Sequence, residues 1–99
     1  MKGTTPMPIV ITAIRMEGGE TDLDITQLWW QNPATGYSDC SALETIISYI
    51  EDLKGKAYVR DDDGYFVRVG VVVPESGPKF LSTYGDREWT DHLLCLPRR

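Results

Sequence analysis

Ile25-Thr26-Gln27-Leu28-Trp29-Trp30-Gln31 reads as a β-strand, and its two adjacent tryptophans decide how the fold has to be built. Successive side chains on a strand point to opposite faces of the sheet. Trp30 therefore shares a face with Leu28, and Trp29 shares the other with Gln27 and Gln31. The first set has the character of core. The second is an aromatic ring flanked by amides, which suits a half-buried contact site. A sheet with one helix has cover for one face only. Trp29 then needs a second cover, or it stands open to a partner.

Outward from that strand, the spacing predicts a single helix over residues 41–54. Ser41-Ala42-Leu43-Glu44 fits a capping box. Leu43, Ile46, Ile47, Ile50 and Leu53 recur at helical spacing and make one apolar stripe, which Glu44, Glu51 and Asp52 avoid. Gly55 supplies the stop. The stripe is expected to cover the sheet.

The remaining strands follow from β-branched runs and turn residues. Residues 8–16 are largely apolar in both alternating sets, so this strand is expected to be central and covered on both sides. The tryptophan strand spans about 22–32, until Asn32-Pro33 breaks it. Residues 56–60 and 65–73 flank Asp61-Asp62-Asp63-Gly64, whose Asp-Gly pair suits a hairpin turn. In the second of these strands Tyr65, Val67, Val69, Val71 and Val73 form the core-facing set. Residues 79–84 form a short strand, and Trp89 to Leu96 a last strand or short helical turn. The order is ββαβββ, with room for one extra short strand. That is an α+β fold: a mainly antiparallel, curled β-sheet with one packed helix. Residues 1–7 read as a flexible N-terminal arm and 8–97 as a single domain.

Composition narrows the function. The chain has 99 residues, a net charge of −5 and a sequence pI near 4.7. Such an acidic chain disfavours general nucleic-acid binding, although Arg15, Lys56, Arg60 and Arg68 could form a local basic patch. Cys40 and Cys95 are not in metal-ligand spacing and read as reduced thiols. No secretory signal or apolar membrane span is present in the sequence, so the cytoplasm is the expected compartment and no membrane partner is expected.

The sequence holds little that points to catalysis. His92 is the sole histidine, and Asp91 precedes it directly. Neighbouring strand residues point apart, which spoils a base–carboxylate pair. Cys95 lies three residues on, on the opposite face if the strand is regular. Asp61-Asp62-Asp63-Gly64 lacks the Glu that a calcium loop needs six residues after its Gly, because Gly70 stands there. Glu17, Glu20, Asp22 and Asp24 read as a charged turn. No phosphate-binding glycine loop occurs. The expectation is no catalytic residue, no metal and no cofactor.

Ile11-Thr12-Ala13-Ile14-Arg15, Trp29-Trp30, Lys56-Ala57-Tyr58-Val59, Trp89-Thr90-Asp91, Leu93-Leu94 and Leu96-Pro97 together resemble a family of small bacterial and phage proteins catalogued as a domain of unknown function. The resemblance spans about residues 9–97. It implies a stand-alone domain and carries over no catalytic residue. Family members often have Asn where His92 stands, which weakens a catalytic role for that residue.

The residues leave the sheet face as the candidate site. Trp29, Gln27, Gln31, Tyr58, Arg60, Phe66 and Arg68 are expected to share it, with aromatics interleaved with basic residues. Trp, Tyr and Arg are the usual anchors of interfaces. The expected function is a non-enzymatic binding domain that self-associates, as a homodimer, or binds a partner such as a host protein. One alternative is a sequestering protein for a nucleotide-type small molecule, which could counter host signalling. Another is a small hydrolase using His92 and Asp91. A third is a nucleic-acid binder on Lys56, Arg60 and Arg68. The bland reading of the same residues is cross-strand packing, with arginine stems laid over rings.

Overall fold

A computed structural model describes residues 8–85 and 87–99. The arm expected over residues 1–7 lies outside the described residues. Seven strands form one sheet: β1 (Ile9–Met16), β2 (Ile25–Gln31), β3 (Ser38–Ala42), β4 (Ala57–Arg60), β5 (Phe66–Val72), β6 (Phe80–Gly85) and β7 (Glu88–Thr90). Their spatial order is β3-β2-β1-β4-β5-β6-β7. The helix α1 (Leu43–Glu51) follows β3 in sequence. All neighbouring strands pair antiparallel except β1 and β4. A parallel pair needs a long crossover, which β2, β3 and α1 provide. The helix touches β2 and β3 on one side and β5 and β6 on the other, so the sheet curls around it. This is the expected α+β architecture.

Ile9, Ile11, Ile14, Leu28, Val59, Val69 and Leu81 form the buried face, joined by Ile46 from α1 and Leu93 from a 3₁₀ turn at His92–Cys95. Ile11 and Ile14 are three apart, so on a regular strand they would face opposite ways. The β1–β2 register shifts between Ile11 and Ala13. The bulge brings both isoleucines to the core. That is how β1 can be apolar in both alternating sets and still have one buried face.

β4 pairs with β1 only at Ile9 and Val10. Further along, the C-terminal residues take the free edge. Ile14 N–H donates to the Pro97 carbonyl at 3.0 Å, and Arg99 N–H donates to the Ile14 carbonyl at 2.9 Å. The tail thus continues the sheet where β4 diverges.

Several local expectations are corrected. The order contains a strand, β3, between β2 and the helix, so Ser41 lies in a strand and caps no helix. The Ser41 hydroxyl accepts the Trp30 indole N–H at 3.0 Å instead. Ala42 is the N-cap and offers no side-chain bond. A capping box does exist, at Thr21 and Asp24, over a 3₁₀ turn (Asp22–Asp24) that shortens the tryptophan strand at its start. The helix spans 43–51, short of the expected 41–54. Lys54 takes the left-handed conformation with φ of 60°, and Leu53 leaves the stripe, 58% exposed. Gly55 is demanded by packing, since a Cβ there would run into the Tyr49 ring. In β5 the core set is Val67, Val69 and Val71, while Tyr65 and Val73 fall outside the strand and are exposed. Lys56 precedes β4. Among the described residues no helix is long and apolar enough to cross a membrane.

Candidate functional site

The register aligns one residue from each strand in a single row: Ser38, Gln31, Val10, Tyr58, Arg68, Tyr84 and Trp89. Directly opposed residues share a face. This row therefore lies on the face opposite the core. Arg60 and Phe66 are the next opposed pair along β4 and β5. On β2 the same face carries Trp29 and Gln27, opposite Ala13 and Arg15 of β1. All seven expected site residues thus share one sheet face, as two groups separated by Val10.

The first group is a weave of rings and guanidinium groups. Tyr58 meets Phe66 edge-on with centroids 6.0 Å apart. The Arg60 guanidinium lies 5.0 Å from the Phe66 centroid, and that of Arg68 lies 6.0 Å from Tyr58. These are cation–π distances. Tyr84 and Trp89 extend the weave with an edge contact at 5.2 Å. Trp89 reaches across β6 to lie against Gly70, where a Cβ would sit 3.2 Å from the ring. Phe66, Tyr84 and Trp89 all remain substantially exposed, at 51%, 42% and 49%. Tyr58, Phe66, Arg68 and Tyr84 line a depression of about 500 Å³, together with Asp61, Glu88 and His92.

The second group centres on Trp29. Its cover comes from the chain's own arginines. Arg15 and Arg99 place guanidinium carbons 5.5 and 5.4 Å from the ring centroid. Arg15 also donates from Nε to the Arg99 carbonyl at 3.0 Å, tying the tail to β1. Gln27 donates to the Cys40 sulfur at 3.1 Å. Gln31, at the end of β2, is exposed. Trp29 is half-buried, and of the two outcomes open to it, a second cover or an open face, the chain's own arginines supply the cover.

Few strand residues carry charge. Among the described strand residues the only charged ones are Arg15, Arg60, Arg68, Asp39 and Glu88. The three arginines share the aromatic face. Asp39 is opposite Trp30, on the other face, whereas Glu88, opposite Gly85 at the sheet end, lines the depression beside Arg68 and Tyr84. The other described acidic side chains lie in turns and in α1. Among the described residues Arg15, Arg60, Arg68 and Arg99 have no Asp or Glu side-chain partner, and Arg15 is engaged by the Arg99 main-chain oxygen.

Sequence reasoning missed Tyr84, Trp89 and Arg99. Alternation along β6, with the Gly85–Glu88 turn read as a hairpin, would have found the first two. Arg99 carried no local signal, because a long-range pairing places it.

The other candidates are brought together only in part. The His92 Nδ1 lies 2.7 Å from the Thr90 hydroxyl, which lies 2.7 Å from the buried Thr83 hydroxyl. Asp91 makes no bond to the imidazole in this chain of contacts. The Asp61 carboxylate accepts from the N–H groups of Asp63 and Tyr65, both at 2.9 Å, and so builds the hairpin turn. Among the described residues no cluster of three or more His, Cys, Asp or Glu is placed to hold a metal. Cys40 and Cys95 are free thiols. Burial, aided by the nearby Asp91 charge, pushes the Asp22 carboxyl above its ordinary range, against an opposing Ser82 hydrogen bond. Its Oδ1 is buried without a partner.

The chain belongs to DUF3892, a family of proteins of unknown function, whose pattern matches residues 10–97. No curated protein and no solved structure matches it.

Proposed function

We propose that this chain is a non-enzymatic binding domain that takes an anionic partner on its arginine–aromatic sheet face. One observation carries the reading. In a chain of net charge −5, Arg15, Arg60 and Arg68 share this face, and among the described residues none of them has an Asp or Glu side chain within ion-pair distance, although Asp61 and Glu88 line the depression beside Arg68. A guanidinium group matches carboxylate and phosphate oxygens with paired N–H donors, so arginines free of Asp and Glu leave those donors available to an anionic partner. Exposed Tyr and Trp beside Arg is also the composition of interface anchors.

The same observation weighs against face-to-face self-association. Two such faces would bring like charges together, which costs free energy at an interface. A homodimer through this face is therefore the second choice, although the exposed rings supply apolar area for it.

The test uses charge against expectation. An acidic protein should pass through a heparin column at low ionic strength. The wild-type chain is expected to be retained and the Arg60→Glu/Arg68→Glu variant to flow through. Sedimentation equilibrium of both decides the dimer. A wild-type protein that flows through heparin and sediments as a dimer, with the variant monomeric, would replace this reading by self-association.

A further inference from the structure

We infer that the groove beside α1 docks a basic amphipathic helix of a partner protein. The groove lies on the helix side of the sheet and shares no residue with the arginine–aromatic face, so it is independent of the anionic partner proposed above. Its volume is about 720 Å³, room for several aliphatic side chains.

Its floor is aliphatic: Leu43 and Ile47 from α1 face Leu23 and Ile25 across the groove. Leu43 and Ile47 are only half-buried, and Leu23 is 58% exposed. A lone exposed leucine needs no explanation, but contiguous aliphatics in one groove mark a contact surface. The rim is acidic. Glu44, Ser48, Glu51 and Asp52 follow one another at helical spacing, as a polar stripe beside the apolar one. Three carboxylates there meet one ammonium, Lys79, which Glu51 already holds at 2.6 Å. Among the described residues Glu44 has no cation beside it, and the Asp52 carboxylate accepts from the neutral Ser48 hydroxyl at 2.8 Å. On the far wall the Thr26 hydroxyl donates to the Glu17 carboxylate at 3.4 Å, which brings a fourth acid to that end. Apolar residues between carboxylates complement a segment with apolar residues on one side and Lys or Arg on its flanks.

A second observation asks for a cation at the same place. The helix ends on Glu51 and Asp52 with no basic residue in its last turn, the reverse of what the helix dipole favours. A partner's Lys or Arg would meet both carboxylates and the negative end of the dipole. The backbone decides between a helix and a strand as occupant. β3 pairs with β2 only from Gln27 to Gln31, so the strand edge facing the groove is Ile25 and Thr26 alone. That is too short to take up a partner strand of about 5–6 residues. A helix satisfies its own backbone and docks through side chains. The 9 residues of α1 make a wall about 13 Å long, which about two turns of a docked helix would cover.

The experiment measures fluorescence polarisation of a labelled leucine–lysine peptide patterned as an amphipathic helix, beside a scrambled peptide of the same composition. The wild type is expected to bind the patterned peptide at least tenfold more tightly than the scrambled one, with an affinity that falls as salt rises. Glu44→Lys/Asp52→Lys should weaken binding at least tenfold. Leu23→Ser should weaken it about fivefold, and its exposed position keeps the fold, which circular dichroism checks. Arg60→Glu/Arg68→Glu should leave it unchanged, which separates the groove from the arginine face. Equal binding of the two peptides, binding indifferent to Leu23→Ser, or no binding of either peptide overturns the inference. A wild type that sediments as a dimer and a monomeric Leu23→Ser variant would overturn it too, by giving the groove to a second copy of this chain.

Discussion

The indole nitrogen of Trp30 donates to the hydroxyl of Ser41, across the β2–β3 pair, at 3.0 Å. This bond fastens an otherwise polar edge strand to the sheet, and the tilted Trp30–Tyr37 ring contact at 5.8 Å supports it. Ser41→Ala should cost about 1 kcal/mol, the usual worth of a hydrogen bond whose donor loses its partner in a partly buried site. Urea unfolding checks this. Trp30→Ala should cost more, about 2–3 kcal/mol, below the range for a fully buried aromatic because Trp30 is half-buried. Trp29→Ala should cost less than Trp30→Ala. The reverse ranking would place the main packing role on the arginine-covered indole.

Two leucines separate helical spacing from burial. Leu93 is 0% exposed and Leu53 is 58% exposed. Leu93→Ala should cost roughly 2–5 kcal/mol by cavity formation, whereas Leu53→Ala should stay within about 0.5 kcal/mol as an open surface change. Thermal melts of the two variants distinguish them directly.

Gly55 and Tyr49 are coupled by contact. A Cβ at residue 55 would overlap the Tyr49 ring. Gly55→Ala should therefore destabilise by about 1–3 kcal/mol through overpacking. Much of that cost should vanish when the ring is removed, so the Gly55→Ala/Tyr49→Ala cycle should show a coupling above about 0.5 kcal/mol. Simple additivity would mean that the glycine is needed for backbone reasons instead.

Asp22 makes a pH prediction. Burial, then the charge of Asp91, raise its carboxyl pKa against the opposing Ser82 bond. A raised folded-state pKa means that the native state holds this proton more tightly than the unfolded chain does. The ionised carboxylate thus costs stability above the folded-state pKa, and the cost disappears below the ordinary carboxyl value. Asp22→Asn should be more stable than the wild type at neutral pH, with the difference shrinking as pH falls through the carboxyl range. Denaturant midpoints at several pH values measure this. A difference that grows on acidification would reverse the sign of the shift.

The sequence by itself determined the α+β class, the opposite orientations of Trp29 and Trp30, and the common face of Tyr58, Arg60, Phe66 and Arg68. All of these follow from period-two alternation and hairpin chemistry, which are local. β3 escaped notice because Ser38-Asp39-Cys40-Ser41-Ala42 has no β-branched or aromatic residue. Pairing to β2 makes it a strand, and only the tertiary structure contains that pairing. Leu53 kept helical spacing, but the chain turned left-handed at Lys54, and Gly55 sits where a Cβ would meet the Tyr49 ring. The tertiary structure also decided what covers Trp29. The β1–β4 divergence opens an edge, the tail fills it, and Arg99 arrives over the indole 70 residues distant in sequence from it. Such long-range pairings, with the curl they impose, turned an apparent gap in the cover of one tryptophan into a face of arginines and rings.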